Sequence, residues 1–167
     1  MKRACIAIID AARARLYTYQ EDAAPADQLK EVLDLTNPGR RLRSSEMFSE
    51  TRPANALPGR PGIGRVPGST KDDHRDDHIG MMDAKFAKEI VHEIDKLVTR
   101  EGFGHLILVA SPKMLGELRK ANGALKRNGL VVDEIPRDLA KLTPAQLHDH
   151  LASLDLIPAR QRLYMAR

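Results

Sequence analysis

Leu106-Ile107-Leu108-Val109-Ala110, followed at once by Ser111-Pro112, is the stretch on which the fold turns. Five apolar residues without a polar break do not alternate, so they suit a central strand covered on both faces. Ser111 supplies a helix cap and Pro112 the first helical position, so a helix starts where the strand ends. Upstream, Met82, Phe86, Ile90, Ile94 and Leu97 recur at helical spacing, while Lys85, Glu89, Lys96 and Arg100 fall on other faces. Gly102 and Gly104 close that helix. A long helix feeding a two-sided strand predicts a parallel crossover.

Working outward, Ala4 to Ile9 and Leu16 to Tyr19 are β-favourable runs joined by the tight stretch Asp10 to Arg13, which predicts a hairpin. Leu29 to Leu35 extends it to an antiparallel meander of three strands. Beyond the helix that starts at Ser111, with Met114, Leu115, Leu118 and Leu125 on its apolar face, Leu130 to Ile135 reads as a further strand. Thr143, Pro144 and Gln146 form a capping box that opens a last helix through Leu147, Leu151 and Leu154. The sum is α/β: a ribonuclease-H-like mixed five-stranded sheet, an antiparallel meander then parallel strands, flanked by helices. At 167 residues the chain suits one domain over 1–167, since two would each be too small for a sizeable core.

One region breaks the periodicity. Across 37–71 Pro38, Gly39, Pro53, Pro58, Gly59, Pro61, Gly62, Gly64, Pro67 and Gly68 leave no apolar repeat, which predicts a long, flexible inserted loop. Such loops are uncommon inside compact domains and are usually functional or disordered. This one carries Arg40, Arg41, Arg43, Arg52, Arg60, Arg65 and Lys71 against only Glu46 and Glu50. Guanidinium forks suit phosphate, so these seven residues are the candidate RNA-binding set. The net charge of +4 and pI near 9.3 agree with an anionic partner without selecting one.

Other classes are narrowed by what the chain lacks. Trp is absent and only three Tyr and three Phe occur, so stacking platforms for single-stranded RNA have few candidates. The single cysteine, Cys5, lies in an apolar run and reads as a small buried hydrophobe, which excludes an intrachain disulfide and fits a reducing compartment. The apolar run after Lys2-Arg3 is too short for a signal peptide, and none is long enough to cross a bilayer, so a cytoplasmic protein without membrane partners is expected. No Walker loop, nucleophile elbow or cofactor fingerprint occurs.

Asp72-Asp73-His74-Arg75-Asp76-Asp77-His78 offers an alternative chemistry. On a helix Asp72/Asp76, Asp73/Asp77 and His74/His78 align at i,i+4, and carboxylates suit Mg or Mn while imidazoles suit Zn. With Asp10 at the end of the first strand, the cluster would make a metal-dependent phosphodiesterase. The competing reading is that acidic residues at the start of a long helix complement its dipole. His148 and His150 stand on different faces of the last helix and are expected to be solvent-exposed.

Five stretches, Ile6 to Tyr17, Arg41-Leu42-Arg43, Phe86-Ala87-Lys88-Glu89, Leu106 to Pro112 and Asp138 to Pro144, resemble in this order the bacterial host-attachment protein family over nearly the whole chain. That family is distantly similar to the middle domain of eukaryotic and archaeal class-I release factors. The resemblance implies a ribonuclease-H-like fold with the loop placed as the release factors' catalytic loop is placed. Those factors carry a Gly-Gly-Gln tip; here Gln20, Gln28, Gln146 and Gln161 all lie outside the loop. The resemblance therefore implies a non-enzymatic module, without cofactors, contacting ribosomal or transfer RNA, with any role in host attachment indirect. A protein partner for the loop is the third expectation, on the thin apolar content of Leu57, Ile63 and Val66.

Overall fold

The computed structural model describes residues 2–41, 70–121, 125 and 129–160. Strand β1 (Arg3–Ile9) turns back into β2 (Arg13–Gln20), which pairs with β3 (Leu29–Thr36). A single helical turn, α1 (Pro38–Arg41), follows, then the long helix α2 (Thr70–Glu101). Strand β4 (His105–Ala110), helix α3 (Pro112–Ala121), strand β5 (Val131–Pro136) and helix α4 (Pro144–Ser153) complete the order.

The strands form one sheet in the order β3-β2-β1-β4-β5. β1 runs antiparallel to β2 and parallel to β4, with Ile6 opposite Tyr17 on one side and Ile107 on the other. β5 is parallel to β4, and β3 antiparallel to β2. This is the expected mixed ribonuclease-H-like sheet, and its centre explains the unbroken apolar runs. In β1, Cys5, Ala7 and Ile9 face α2 and α3, while Ala4, Ile6 and Ile8 face the layer built by α4 and its flanks. β4 divides likewise, Leu106, Leu108 and Ala110 against Ile107 and Val109. A strand with a wet face would alternate; these have none.

Local chemistry sets the boundaries. Gly102 has φ of +67° just past the end of α2, and Phe103 N–H donates to Val98 O at 3.2 Å, the long bond of a Schellman ending. Phe103 and Val98 are both buried in the same apolar cluster, the contact that accompanies this motif. Ser111 Oγ accepts from Met114 N–H at 3.4 Å to cap α3. Thr143 and Gln146 make the predicted reciprocal box, with Thr143 Oγ1 accepting from Gln146 N–H at 3.3 Å and Gln146 Oε1 from Thr143 N–H at 3.0 Å. The β2–β3 register slips at Leu16/Tyr17 because β3 fits one extra residue, Val32; the bulge twists an edge strand that would otherwise offer itself for pairing.

Two expectations change. The segment 37–71 is not loop throughout: α1 occupies its start and α2 begins at Thr70, while the cluster from Asp72 to His78 is helical, as its i,i+4 reading required. The central part of that segment, 42–69, lies outside the described residues. Secondly, His148 is buried at 2% exposure. Its Nε2 hydrogen-bonds Pro158 O at 2.9 Å and its ring meets Tyr19 edge-on at 5.7 Å, because the chain after α4 folds back over that face. His150 is half-buried.

Candidate functional site

The described part of the basic segment is its root, and that root is built from the β1–β2 turn outward. Asp10 Oδ1 accepts from both Ala12 N–H and Arg13 N–H at 2.6 Å, and Asp10 N–H donates to Arg13 O at 2.8 Å, which closes the turn. Asn37, 3% exposed, reads the turn's outer carbonyls: its N–H donates to Ala12 O at 2.8 Å and its Nδ2 to Ala11 O at 3.0 Å. Its Oδ1 accepts from Gly39 N–H at 3.2 Å, and Arg40 N–H donates to Asn37 O at 3.2 Å, so the same residue starts α1. Gly39 lies flush on α2; a Cβ there would come within 2.0 Å of Met82 Sδ.

Arg40 completes the docking of α1. Its Nε donates to Asp83 Oδ1 at 3.0 Å and its Nη2 to Asp83 Oδ2 at 2.7 Å, a fork-on-carboxylate pair. The Asp83 side chain is 3% exposed and that of Arg40 29%. The hydrogen bond to Asp83 raises the Arg40 pKa above its ordinary value, with burial opposing it. Lys113, in the first turn of α3, places Nζ 3.7 Å from Asp83 Oδ2, so one buried carboxylate on α2 gathers cations from α1 and α3.

Beside this root, a cleft of about 440 Å³ opens at the carboxyl ends of β1 and β4, lined by Ile9, Asp10, Ala11, Ala12, Arg40, Ser111 and Asp138. Carboxyl strand ends are where open α/β sheets leave room for ligands. Asp138 Oδ1 accepts from Ala140 N–H at 3.2 Å, and Asp10 Oδ1 is held in the turn, so each carboxylate also stabilises its own loop. A second hollow of about 320 Å³ lies on the α4 side, between Pro25, Leu29, Thr143, Pro144, His148 and Arg160.

The predicted residues are distributed unequally. Of the seven basic candidates, Arg40 has a described side chain, and it is in the cleft wall and bound to Asp83. Arg41 ends α1 and Lys71 lies in the first turn of α2, with their side chains outside the description, as are Arg43, Arg52, Arg60 and Arg65 entirely. Of the acidic cluster, Asp72 and His74 are placed only as helix backbone; Asp76, Asp77 and His78 are exposed on α2. Among the described residues no three His, Cys, Asp or Glu side chains form a group that could hold a metal ion, and Asp10 stands with Ser111 and Asp138 in the cleft.

Asp83, Asn37 and Lys113 escaped the sequence reading. Asp83 had a signal: it precedes Ala87 by four residues and Ile90 by seven, so a carboxylate occupies the apolar stripe of α2 and requires a buried partner. Asn37 and Lys113 had none, since only the fold brings them to the turn and to Asp83.

No described helix is long and apolar enough to cross a membrane. Among curated proteins nothing matches the chain. Of solved structures, the type II variant of the Aquifex aeolicus Ppx/GppA phosphatase is similar at 17% identity with a TM-score of 0.33, over 81% of this chain and 36% of that one. The chain thus spans about a third of that phosphatase's length. The family model described as "Protein required for attachment to host cells" matches residues 5–151, and the chain belongs to that family.

Proposed function

We propose that this host-attachment family protein is a non-enzymatic, release-factor-like module that contacts ribosomal or transfer RNA through its basic segment, residues 37–71, and that any effect on host attachment is indirect. The observation that carries the reading is the way this segment is mounted. Its root is fixed to the β1–β2 turn by Asn37 and to α2 by Arg40, and its far end runs into the first turn of α2. At 1.5 Å per residue, Thr70 stands about 20 Å along the helix from Asp83, so the two ends of the segment join the fold at well-separated points. Between Asp76 and Met81 no residue of the helix is buried. A basic stretch that leads into a helical stretch without a buried residue from Asp76 to Met81 suits a broad phosphate surface better than a small enclosed ligand, and its arginines supply affinity through counterion release.

Co-sedimentation with ribosomes across a salt series tests this. The variant to compare replaces Arg41, Arg43, Arg52, Arg60 and Arg65 by Gln and leaves Arg40, whose guanidinium is bound to Asp83. Wild type is expected to sediment at low salt, with log K falling against log salt; the variant should lose about 0.7–0.9 of that slope for each phosphate contact removed. Equal binding and equal slope in both proteins would remove the basic segment from the interface.

A further inference from the structure

We infer that Asp83 is the positioning residue of the basic segment, and that Arg40 belongs to this mounting rather than to the RNA-contacting set. The inference rests on the reading that the segment contacts RNA, and it changes one residue's role within it. Asp83 is nearly enclosed, at 3% exposure, in a helix whose neighbouring stripe is apolar. A lone carboxylate there would be costly, so it demands a cation. Arg40 satisfies it with both oxygens engaged, and Lys113 stands behind at 3.7 Å. An RNA phosphate drawing Arg40 away would leave Asp83 with only that longer contact. Arg40 is therefore committed to the fold, and its position next to Arg41 decides where the remaining arginines begin.

Two further contacts make the position specific. Asn37 binds the hairpin turn through two donors and holds Gly39 N–H through its Oδ1. Gly39 sits against Met82, the residue before Asp83, where a Cβ would displace the Met82 thioether. Turn, α1, α2 and α3 thus meet at one point, where Asp83 holds a cation from both α1 and α3. Neutralising it should loosen α1 while the sheet, whose strands pair elsewhere, keeps its protection.

The experiment uses the full chain, wild type against Asp83→Asn, with backbone hydrogen exchange and ribosome binding read on the same samples. Exchange at the amides of Asn37, Gly39 and Arg40 is expected to rise about tenfold or more, with β1 and β4 amides unchanged. Ribosome affinity should fall several-fold while the slope against salt stays at the wild-type value, because a mount contributes no counterion release. Asp83→Glu, which keeps the charge, should recover most of the affinity. If Asp83→Asn unfolds the protein, Arg40→Gln, which leaves Asp83 to Lys113, is read in its place with the same expectations. Unchanged exchange over 37–40 overturns the inference, as does a loss of salt slope in Arg40→Gln, which would make Arg40 a phosphate contact. If wild type binds no ribosome even at low salt, the RNA reading fails, and exchange at 37–40 alone decides whether Asp83 fixes α1.

Discussion

Helix α2 is two different objects along one backbone. From Phe86 to Val98 it lays Phe86, Ala87, Ile90, Val91, Ile94, Leu97 and Val98 onto the sheet, all buried. From Asp76 to Met81 it buries nothing, and Met81 is 72% exposed. Asp83 stands at the changeover, a carboxylate in line with the apolar stripe and a point where α1 and α3 both reach the helix. Continuity of hydrogen bonding therefore says little about packing. The second half is held by burial, whereas from Asp76 to Met81 the helix has no buried residue and its own backbone bonds keep it helical. Such a division suits a helix that is core at one end and mount at the other.

The sharpest way to break this comparison is to cut into the packed half. Ile94→Ala removes a fully buried side chain from the centre of the α2 stripe and should lower unfolding free energy by about 2–5 kcal/mol in urea titrations. A loss below about 1 kcal/mol would mean that this half is not core.

A smaller effect probes the strand beneath it. Cys5 is fully buried in the same cluster, and burial pushes its thiol up from 9.0 to about 12. An acid raised in this way keeps its proton when folded after the unfolded chain has lost its own. Its contribution is thus intact below pH 9 and declines as the pH climbs towards 12. The decline is at most about 1.4 kcal/mol per pH unit in that window, and Cys5→Ala should flatten it when stability is followed from pH 8 to 10.5. An identical alkaline slope in both proteins would show that Cys5 does not titrate differently on folding.

The smallest effect sharpens the comparison from the other side. Asp76→Asn together with Asp77→Asn alters two exposed carboxylates on the extension and should change stability by no more than about 0.5 kcal/mol. The same thermal melts with and without Mg or Mn should coincide. A loss above about 1 kcal/mol, or a metal-dependent shift confined to wild type, would give the first half of α2 a structural or metal-binding duty of its own.

Much of the fold was legible because its signals are local. The apolar runs Ala4 to Ile9 and Leu106 to Ala110, the helical repeat from Phe86 to Leu97, and the capping residues Ser111, Thr143 and Gln146 each report an environment within a few residues. The site was less legible. Arg40 was grouped with six other basic residues by charge and proximity, and nothing in its neighbours announces a carboxylate 43 positions away. His148 looked like a surface residue of an amphipathic helix; Pro158 and Tyr19 cover it, one from beyond the helix and one from β2.

By itself, the sequence determined the five strands and every described helix but α1, that Leu106 to Ala110 is covered on both faces, and where a basic stretch interrupts them. Periodicity, turn chemistry and composition are properties of neighbouring residues, so they survive without the fold. Only the tertiary structure decided that Asn37 reads the β1–β2 turn and that Asp83 draws Arg40 and Lys113 together. A buried charge must find its counter-charge wherever packing brings one, and packing joins residues without regard to their separation along the chain.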